Sequence, residues 1–496
     1  MVATLSPGPY DPKLVNSGIG GGATTAGGRP VVELRFGRAG TVVSALVVLA
    51  FAAMVGGLVA STSRVESLSF PESSLTLVAG RTMDLRVVTD RQPRWERYLT
   101  QFLMDDPARE LAQLVDWYEE LVARSSDAGV DLQLAILEGE AGRRLRLREK
   151  LDGWDVRPDP YPAMAAAIRG AYLGDGDAAD DAVDHLPSDG HPWFGEQLAL
   201  RLAQRRGDQG EVQQIVDERS TRTQSLTSRL RVLVGLELAV LLAGVLSAVM
   251  LVRDRGGLRL AGAPLPPPWS GQLGAVVLIR GAAIQVALIG LFYVVAQLVA
   301  SDVLSALLWP WTNLMFLPML LLARRHLVEP AGLRMRDALG LSLDPGTRNR
   351  VVCVVLMLIA LGLAGDWLAS EVAARAGRSA HWTEWFDEDV VWGAGGDAAL
   401  AIMSAVLAAP FFEEIVFRGL LFATFRRRFG VVAAALGSSL IFAVAHGYGW
   451  AGLFSVLWSG ALWAWSYERT RSLVPGMLAH AAVNLLASLG LLLLLR

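Results

Sequence analysis

The sequence predicts an all-α polytopic membrane protein with eight to nine transmembrane helices and an α-helical soluble insert. Three observations predict it. Of 496 residues, 53% are hydrophobic and only 19% charged, where a soluble domain usually carries about 25% charged residues. Apolar stretches of the ~20 residues needed to cross a bilayer recur along the chain. Between the first of them and the rest lies a charged, helix-patterned segment, 62–228. Fifty glycines and fifteen tryptophans fit the same class, because membrane proteins are enriched in both. A net charge of −3 spread over the whole chain argues against a nucleic-acid partner. The single cysteine, Cys353, excludes an internal disulfide framework and any cysteine-rich metal site.

Residues 1–40 are expected to form a disordered cytoplasmic tail. The first 28 are rich in glycine, threonine and proline and hold no apolar run to offset ordering entropy. Arg29, Arg35 and Arg38 lead into a transmembrane anchor at 41–61; Val59-Ala60-Ser61 resembles a cleavage site, so a cleaved signal is the other reading. In 62–228, stretches such as 107–126 repeat apolar residues at three- and four-residue steps, the mark of amphipathic helices. Two related phrases, GDGDAADDAV from Gly174 and GDQGEVQQIV from Gly207, suggest helix–turn–helix repeats of the tetratricopeptide kind. Such a region offers a surface to a protein partner.

Residues 229–397 return to membrane character, with candidate spans near 231–252, 273–300, 303–323 and 350–370. The core at 398–496 adds spans near 398–425, 431–447, 450–467 and 473–495. Arginines cluster in alternate short loops, at Arg253/Arg255/Arg259, Arg324/Arg325/Arg334/Arg336, Arg426–Arg428 and Arg469/Arg471. By the positive-inside rule these loops and the N-terminus face the cytoplasm of a multi-pass cell-membrane protein. The acidic loop 384–389, the insert 62–228 and the C-terminus then lie outside it. The run PLPPPW at 264–269 reads as a stiff membrane-proximal spacer.

Charged residues inside a span cost about 2.5–3.5 kcal/mol each even on lenient scales, so they need a partner or a task. Glu237 and Arg280 are isolated in their spans and could pair with each other. The last third is denser. In APFFEEIVFRG, Glu414 and Arg418 stand four apart, in the favourable order for a helical ion pair. Glu413 points about 100° away, and Pro410 upstream can kink the helix. Phe442 and His446 share one helical face, as do His480 and Asn484 on another helix. At about 1.5 Å per residue from the nearest arginines, Glu413 lies roughly 20 Å deep, His446 roughly 27 Å and His480 roughly 14 Å. A shared cavity within the bilayer is compatible with these depths.

A carboxylate beside a histidine in a wet, apolar-walled pocket can activate water. A second histidine with an asparagine one turn away offers donors to an oxyanion. Together they suit hydrolysis of an amide bond. The same groups leave a zinc site open, with Glu413, His446 and His480 as candidate ligands, although no HExxH is present. A non-catalytic membrane scaffold and a proton-coupled transporter remain as alternatives. No GxSxG occurs, which argues against serine catalysis.

The ordered motifs EExxxR (Glu413, Glu414, Arg418), FxxxH (Phe442, His446) and HxxxN (His480, Asn484) resemble the CAAX prenyl protease 2 family. This is the group of Rce1-type and bacteriocin-processing intramembrane proteases also called the ABI or CPBP family. The resemblance covers about 398–490 and excludes the insert. It implies an intramembrane endopeptidase acting on a membrane-associated protein or peptide, with immunity-type scaffolds as the non-catalytic counterpart. Glu413 would be the water-activating base assisted by His446, and His480 with Asn484 the oxyanion pair. Glu414 and Arg418 would support them beside Phe442. Family members are commonly labelled metalloproteases. Of the six histidines, only His446 and His480 fall within apolar helices and motifs. His185 and His191 lie in the insert, and His326 and His381 near loops or span ends, where solvation explains them.

Overall fold

The computed structural model describes residues 36–61, 63–103, 107–174, 191–254, 257–299, 312–378 and 380–496. Among these the chain is helical throughout, apart from turns and one isolated antiparallel bridge between Ala261 and Leu343. The expected N-terminal tail up to residue 35, His185, most of the phrase from Gly174 and the first part of the 303–323 span lie outside the described residues.

Helix α1 (Arg38–Ser61) is apolar on all sides and turns Val42, Leu46, Leu49, Met54 and Leu58 outward, as a lipid-facing anchor does. The insert follows as α2 (Pro71–Arg91), α3 (Arg94–Leu103), α4 (Pro107–Val122), α5 (Ala128–Glu140), α6 (Arg144–Trp154), α7 (Tyr161–Ile168) and α8 (Trp193–Arg206). Its helices form for the reason their periodicity suggests. In α4 the buried Leu111, Leu114, Val115, Tyr118 and Leu121 recur at three- and four-residue steps and pack on α5. Each such side chain contributes about 1.5–3 kcal/mol when fully buried. Gly174 and Gly207, which open the two similar phrases, both end a helix in the left-handed region, at φ 77° and 74°. That conformation costs glycine nothing and other residues a strain, so the common feature of the two phrases includes a helix stop.

Helix α9 (Gln209–Arg253) runs 45 residues without a break, about 67 Å and twice the ~30 Å of a bilayer core. Its first half stands in the insert, where Arg222 pairs with Asp84 at 2.9 Å and Arg231 with Glu96 at 2.6 Å. Its apolar second half packs on the membrane helices. These are α10 (Gly271–Val299), the short α11 (Leu317–Ala323), α12 (Arg348–Arg375), α13 (Gly395–Phe425), α14 (Val431–Ala445), α15 (Trp450–Thr470) and α16 (Val474–Leu494). Among the described residues six helices, α1, α9, α10, α12, α13 and α16, are long and apolar enough to cross a membrane. The difference from eight or nine has simple causes. Helix α14 has 15 residues, short of a full span, α15 is rich in tryptophan and serine, and the 303–323 stretch is described only from residue 312.

The arginine-bearing loops gather at one end of the bundle. Thr470 accepts the Leu260 N–H at 2.8 Å, Leu260 accepts that of Asp344 at 2.8 Å, and Arg471 donates to the Leu265 carbonyl at 2.6 Å. The proline run is thus a spacer pinned to this end. At the other end Trp382, Phe386, Val391 and Leu495 enter the core of the insert itself. The insert, the 380–394 loop and the C-terminus therefore share a side opposite the arginines.

Two expectations change here. Arg280 does not meet Glu237. It donates to the Gly37 carbonyl at 2.9 Å and Thr41 Oγ1 at 3.2 Å, and its guanidinium lies 4.5 Å from the Phe36 ring centre. The cause is that α1 is its neighbour. His326 and His381 are also not merely solvated: His326 packs edge-on against Phe36, and His381 Nε2 lies 3.3 Å from Glu120.

In the insert, His191 Nε2 lies 3.6 Å from the fully buried Asp84. Burial, aided by Arg81 and Arg222, holds the imidazole down at about 4 against the pull of Asp84. Between that value and the ordinary 6.5 the unfolded chain binds a proton that the folded chain does not. Stability is therefore intact above pH 6.5 and falls as the pH drops from 6.5 through about 4, by at most about 3 kcal/mol from this group. Thermal unfolding of the full chain against pH should show that loss, and His191→Gln should remove it.

Candidate active site

Helix α13 is not a plain α-helix. It widens into π turns at Ser404–Ala408 and Glu414–Phe422, with Pro410 between them. The reason is local. In the first wide turn the Ala409 N–H bonds to Ser404, five residues back. The next donor in that register is Pro410, which has no N–H, so the Ala405 carbonyl is left without a backbone donor. Asn484, on α16, supplies it: its side-chain N–H donates to the Ala405 carbonyl at 2.7 Å. One N–H of the Asn484 amide is engaged, and an asparagine has two.

The second wide turn carries the charges. Arg418 Nη1 donates to Glu414 Oε1 at 2.9 Å, with both side chains 1% exposed. His480 Nδ1 approaches the same oxygen at 3.2 Å. Arg418 lies over Phe442 of α14 at 4.2 Å and over Trp463 of α15 at 5.0 Å. Arg418 Nη2, buried and without a hydrogen-bond acceptor, is thus compensated by two aromatic faces. Trp463 also stacks flat on His480, with ring centres 4.2 Å apart and planes 17° apart. Gly460, one turn before Trp463, leaves room for the guanidinium: a Cβ there would meet Arg418 Nη2 at 2.8 Å.

Glu413 differs from its neighbour. Its side chain is 19% exposed against 1% for Glu414, so only one of the adjacent carboxylates is partly exposed. Glu413 Oε2 lies 3.9 Å from His480 Nε2, a gap that one water can bridge. His446 stands apart. Its Nδ1 bonds to the Phe442 carbonyl at 2.8 Å, and because a carbonyl only accepts, that nitrogen carries the proton. That leaves Nε2 as the ring nitrogen open to another partner. No ion-pair contact within 4.0 Å joins His446 to Glu413, whereas Phe442 touches both histidine rings, 4.6 Å from His446 and 6.2 Å from His480.

The structure therefore brings Glu413, Glu414, Arg418, Phe442 and His480 into one cluster and ties Asn484 to the backbone of the same helix. Sequence reasoning missed Trp463 and the Ala405 carbonyl. The i,i+3,i+7 spacing of Gly460, Trp463 and Tyr467, all buried, is the signal that pointed to that face. The zinc reading does not fit. Among the described residues no three His, Cys, Asp or Glu side chains are placed to hold a metal ion, and His480 is flanked by the two carboxylates at its two nitrogens.

Fold and site together define a multi-pass helical membrane protein with a carboxylate–histidine centre built inside the bundle. Residues 395–486 match the family model described as type II CAAX prenyl endopeptidase Rce1-like, so this segment is similar to that family. The matched segment begins with α13 and ends within α16, so it holds every motif residue and none of the insert. No curated protein and no solved structure matched the chain.

Two outcomes test this architecture. Glu414→Ala should cost about 3–5 kcal/mol in thermal unfolding, because it strands the buried Arg418. Asn484→Ala should cost about 1–3 kcal/mol by leaving the Ala405 carbonyl unmet. Adding Pro410→Ala to the latter should recover part of it by restoring a backbone N–H.

Proposed function

We propose that the chain is an intramembrane endopeptidase that hydrolyses a peptide bond of a membrane-associated protein or peptide. The observation that carries this reading is the pairing of a partly exposed Glu413 with His480 across 3.9 Å, inside the segment that matches the Rce1-like family model. Glu413 takes a proton as water oxygen adds to the scissile carbonyl carbon. The oxyanion that forms is met by the free N–H of Asn484 and by His480 Nε2 when that ring carries both protons. Glu413 then returns its proton to the leaving nitrogen as the C–N bond breaks. The buried Glu414–Arg418 pair takes no proton in this scheme. Glu414 accepts from His480 Nδ1 and Trp463 stacks on the ring, so together they hold Nε2 toward Glu413.

His446 serves as an auxiliary acceptor through its Nε2, its tautomer fixed by the Phe442 carbonyl. The bilayer supplies the setting for the substrate, and the arginine distribution supports a cytoplasmic N-terminus with 62–228 outside.

Purified protein in lipid should cleave membrane-associated peptides. Glu413→Gln should lower the rate about 10²–10⁴-fold while leaving the unfolding midpoint nearly unchanged. Normal cleavage by Glu413→Gln would sink the reading, and a pure scaffold would complement normally with that variant.

A further inference from the structure

A cavity lies where the insert meets the membrane bundle. It holds about 890 Å³ and is walled by α2 and α4 of the insert, by α9 and α12, by the 380–385 segment and by the start of α15. Five carboxylates line it: Glu110, Glu237, Asp366, Glu371 and Glu384, with no lysine, arginine or histidine among the lining residues. Three tryptophans, Trp117, Trp367 and Trp385, add aromatic faces.

Not all of that acidity is neutralised by the protein. Glu371 meets Arg109 and Arg375, and Asp366 accepts from Ser455. Glu384 gives Oε1 to Arg64 and to the Gly449 N–H, yet its Oε2 is buried with no hydrogen-bond partner, in a side chain only 8% exposed. Glu237 forms no hydrogen bond or ion pair with any described residue, although it stands 16 residues before Arg253 on an apolar helix, about 24 Å from the arginine end. A carboxylate at such a depth without a partner costs several kcal/mol. Its partner is therefore to be sought in what enters the cavity.

One wall of the cavity stands beside a motif histidine. Tyr448 is one of its walls, its ring centre 5.5 Å from that of His446.

We propose that this cavity is the substrate vestibule and that it selects a peptide segment joining positively charged to apolar residues. The inference rests on the peptidase reading and names its substrate class. The cation meets Glu237 and the free oxygen of Glu384 and lies against tryptophan faces, which attract cations as well as apolar groups. Unpaired acids repel an anionic lipid headgroup and an acidic peptide alike. The insert is thus a wall of the substrate path.

The test separates binding from cleavage. Full-length Glu413→Gln protein in neutral-lipid nanodiscs is titrated with a fluorescent apolar peptide bearing arginines at one end, and with its twin bearing glutamates there. The arginine peptide should bind at least about tenfold tighter, and more weakly at higher ionic strength. Glu237→Gln in the same background should weaken it several-fold, and Glu384→Gln likewise. Equal binding of the two peptides, or an unchanged affinity in folded Glu237→Gln protein, would overturn the vestibule. If the arginine peptide binds as expected and otherwise wild-type protein cleaves nothing, the binding site stands and the peptidase reading falls. If wild-type protein cleaves both peptides with equal kcat/KM, the peptidase stands and the vestibule falls.

Discussion

The Glu414–Arg418 pair sits 1% exposed in the middle of a bundle whose surroundings are lipid and apolar side chains. Stripping water from two ions costs several kcal/mol each, and a single 2.9 Å contact does not offset that. The fold meets the remainder with groups from three further helices. Phe442 of α14 and Trp463 of α15 face the guanidinium, and His480 of α16 donates to the carboxylate. Because these contacts come from different helices, together they constrain the rotation and depth of all four at once. The position of His480 before Glu413 is a consequence of that requirement.

A second constraint comes from the backbone of α13. The wide turn at 404–408 and the proline after it free one carbonyl, and in a membrane a freed carbonyl must be met by protein. Asn484 meets it, which ties α16 to α13 one turn from His480. The asparagine of the HxxxN motif thus has a structural duty whatever its second N–H does. A residue can be required for the fold and for the chemistry at the same place, and the stability of a substitution there has to be read before its activity.

Much of the site was legible because charge is scarce. In a chain with 19% charged residues, an adjacent carboxylate pair inside a span stands out, and the i,i+4 spacing of Glu414 and Arg418 already states their contact. The matched segment 395–486 bears out the family resemblance read from the three motifs. Helicity followed from periodicity. What stayed hidden was set by neighbours far apart in sequence. Arg280 finds Gly37 and Thr41 across 240 residues, and a tryptophan stacked on His480 looks in the sequence like any other of fifteen. The π register of α13 is likewise invisible, since hydrophobic spacing does not distinguish a wide turn from a regular one. The composition also concealed how far the insert is fused to the bundle. Its core includes Trp382, Phe386, Val391 and Leu495, residues that lie more than 150 positions beyond residue 228, where the insert ends in the sequence.

That fusion bears on how a peptide bond could be reached inside a membrane. Hydrolysis needs a water beside Glu413 and an extended stretch of substrate beside both, yet lipid excludes the first and a helical substrate withholds the second. Helix α14 is short, about 22 Å for its 15 residues, so His446 and the turn after it end below the level that a full span would reach on the insert side. The 380–394 loop descends to meet that turn, with Glu384 accepting the Gly449 N–H at 2.9 Å. Polar backbone and side chains therefore come down toward the site from one side only, the side the insert covers. On the proposed reading the same recess admits water and unwound peptide together. The long helix α9 then joins the insert to the bundle that holds the carboxylate without a break.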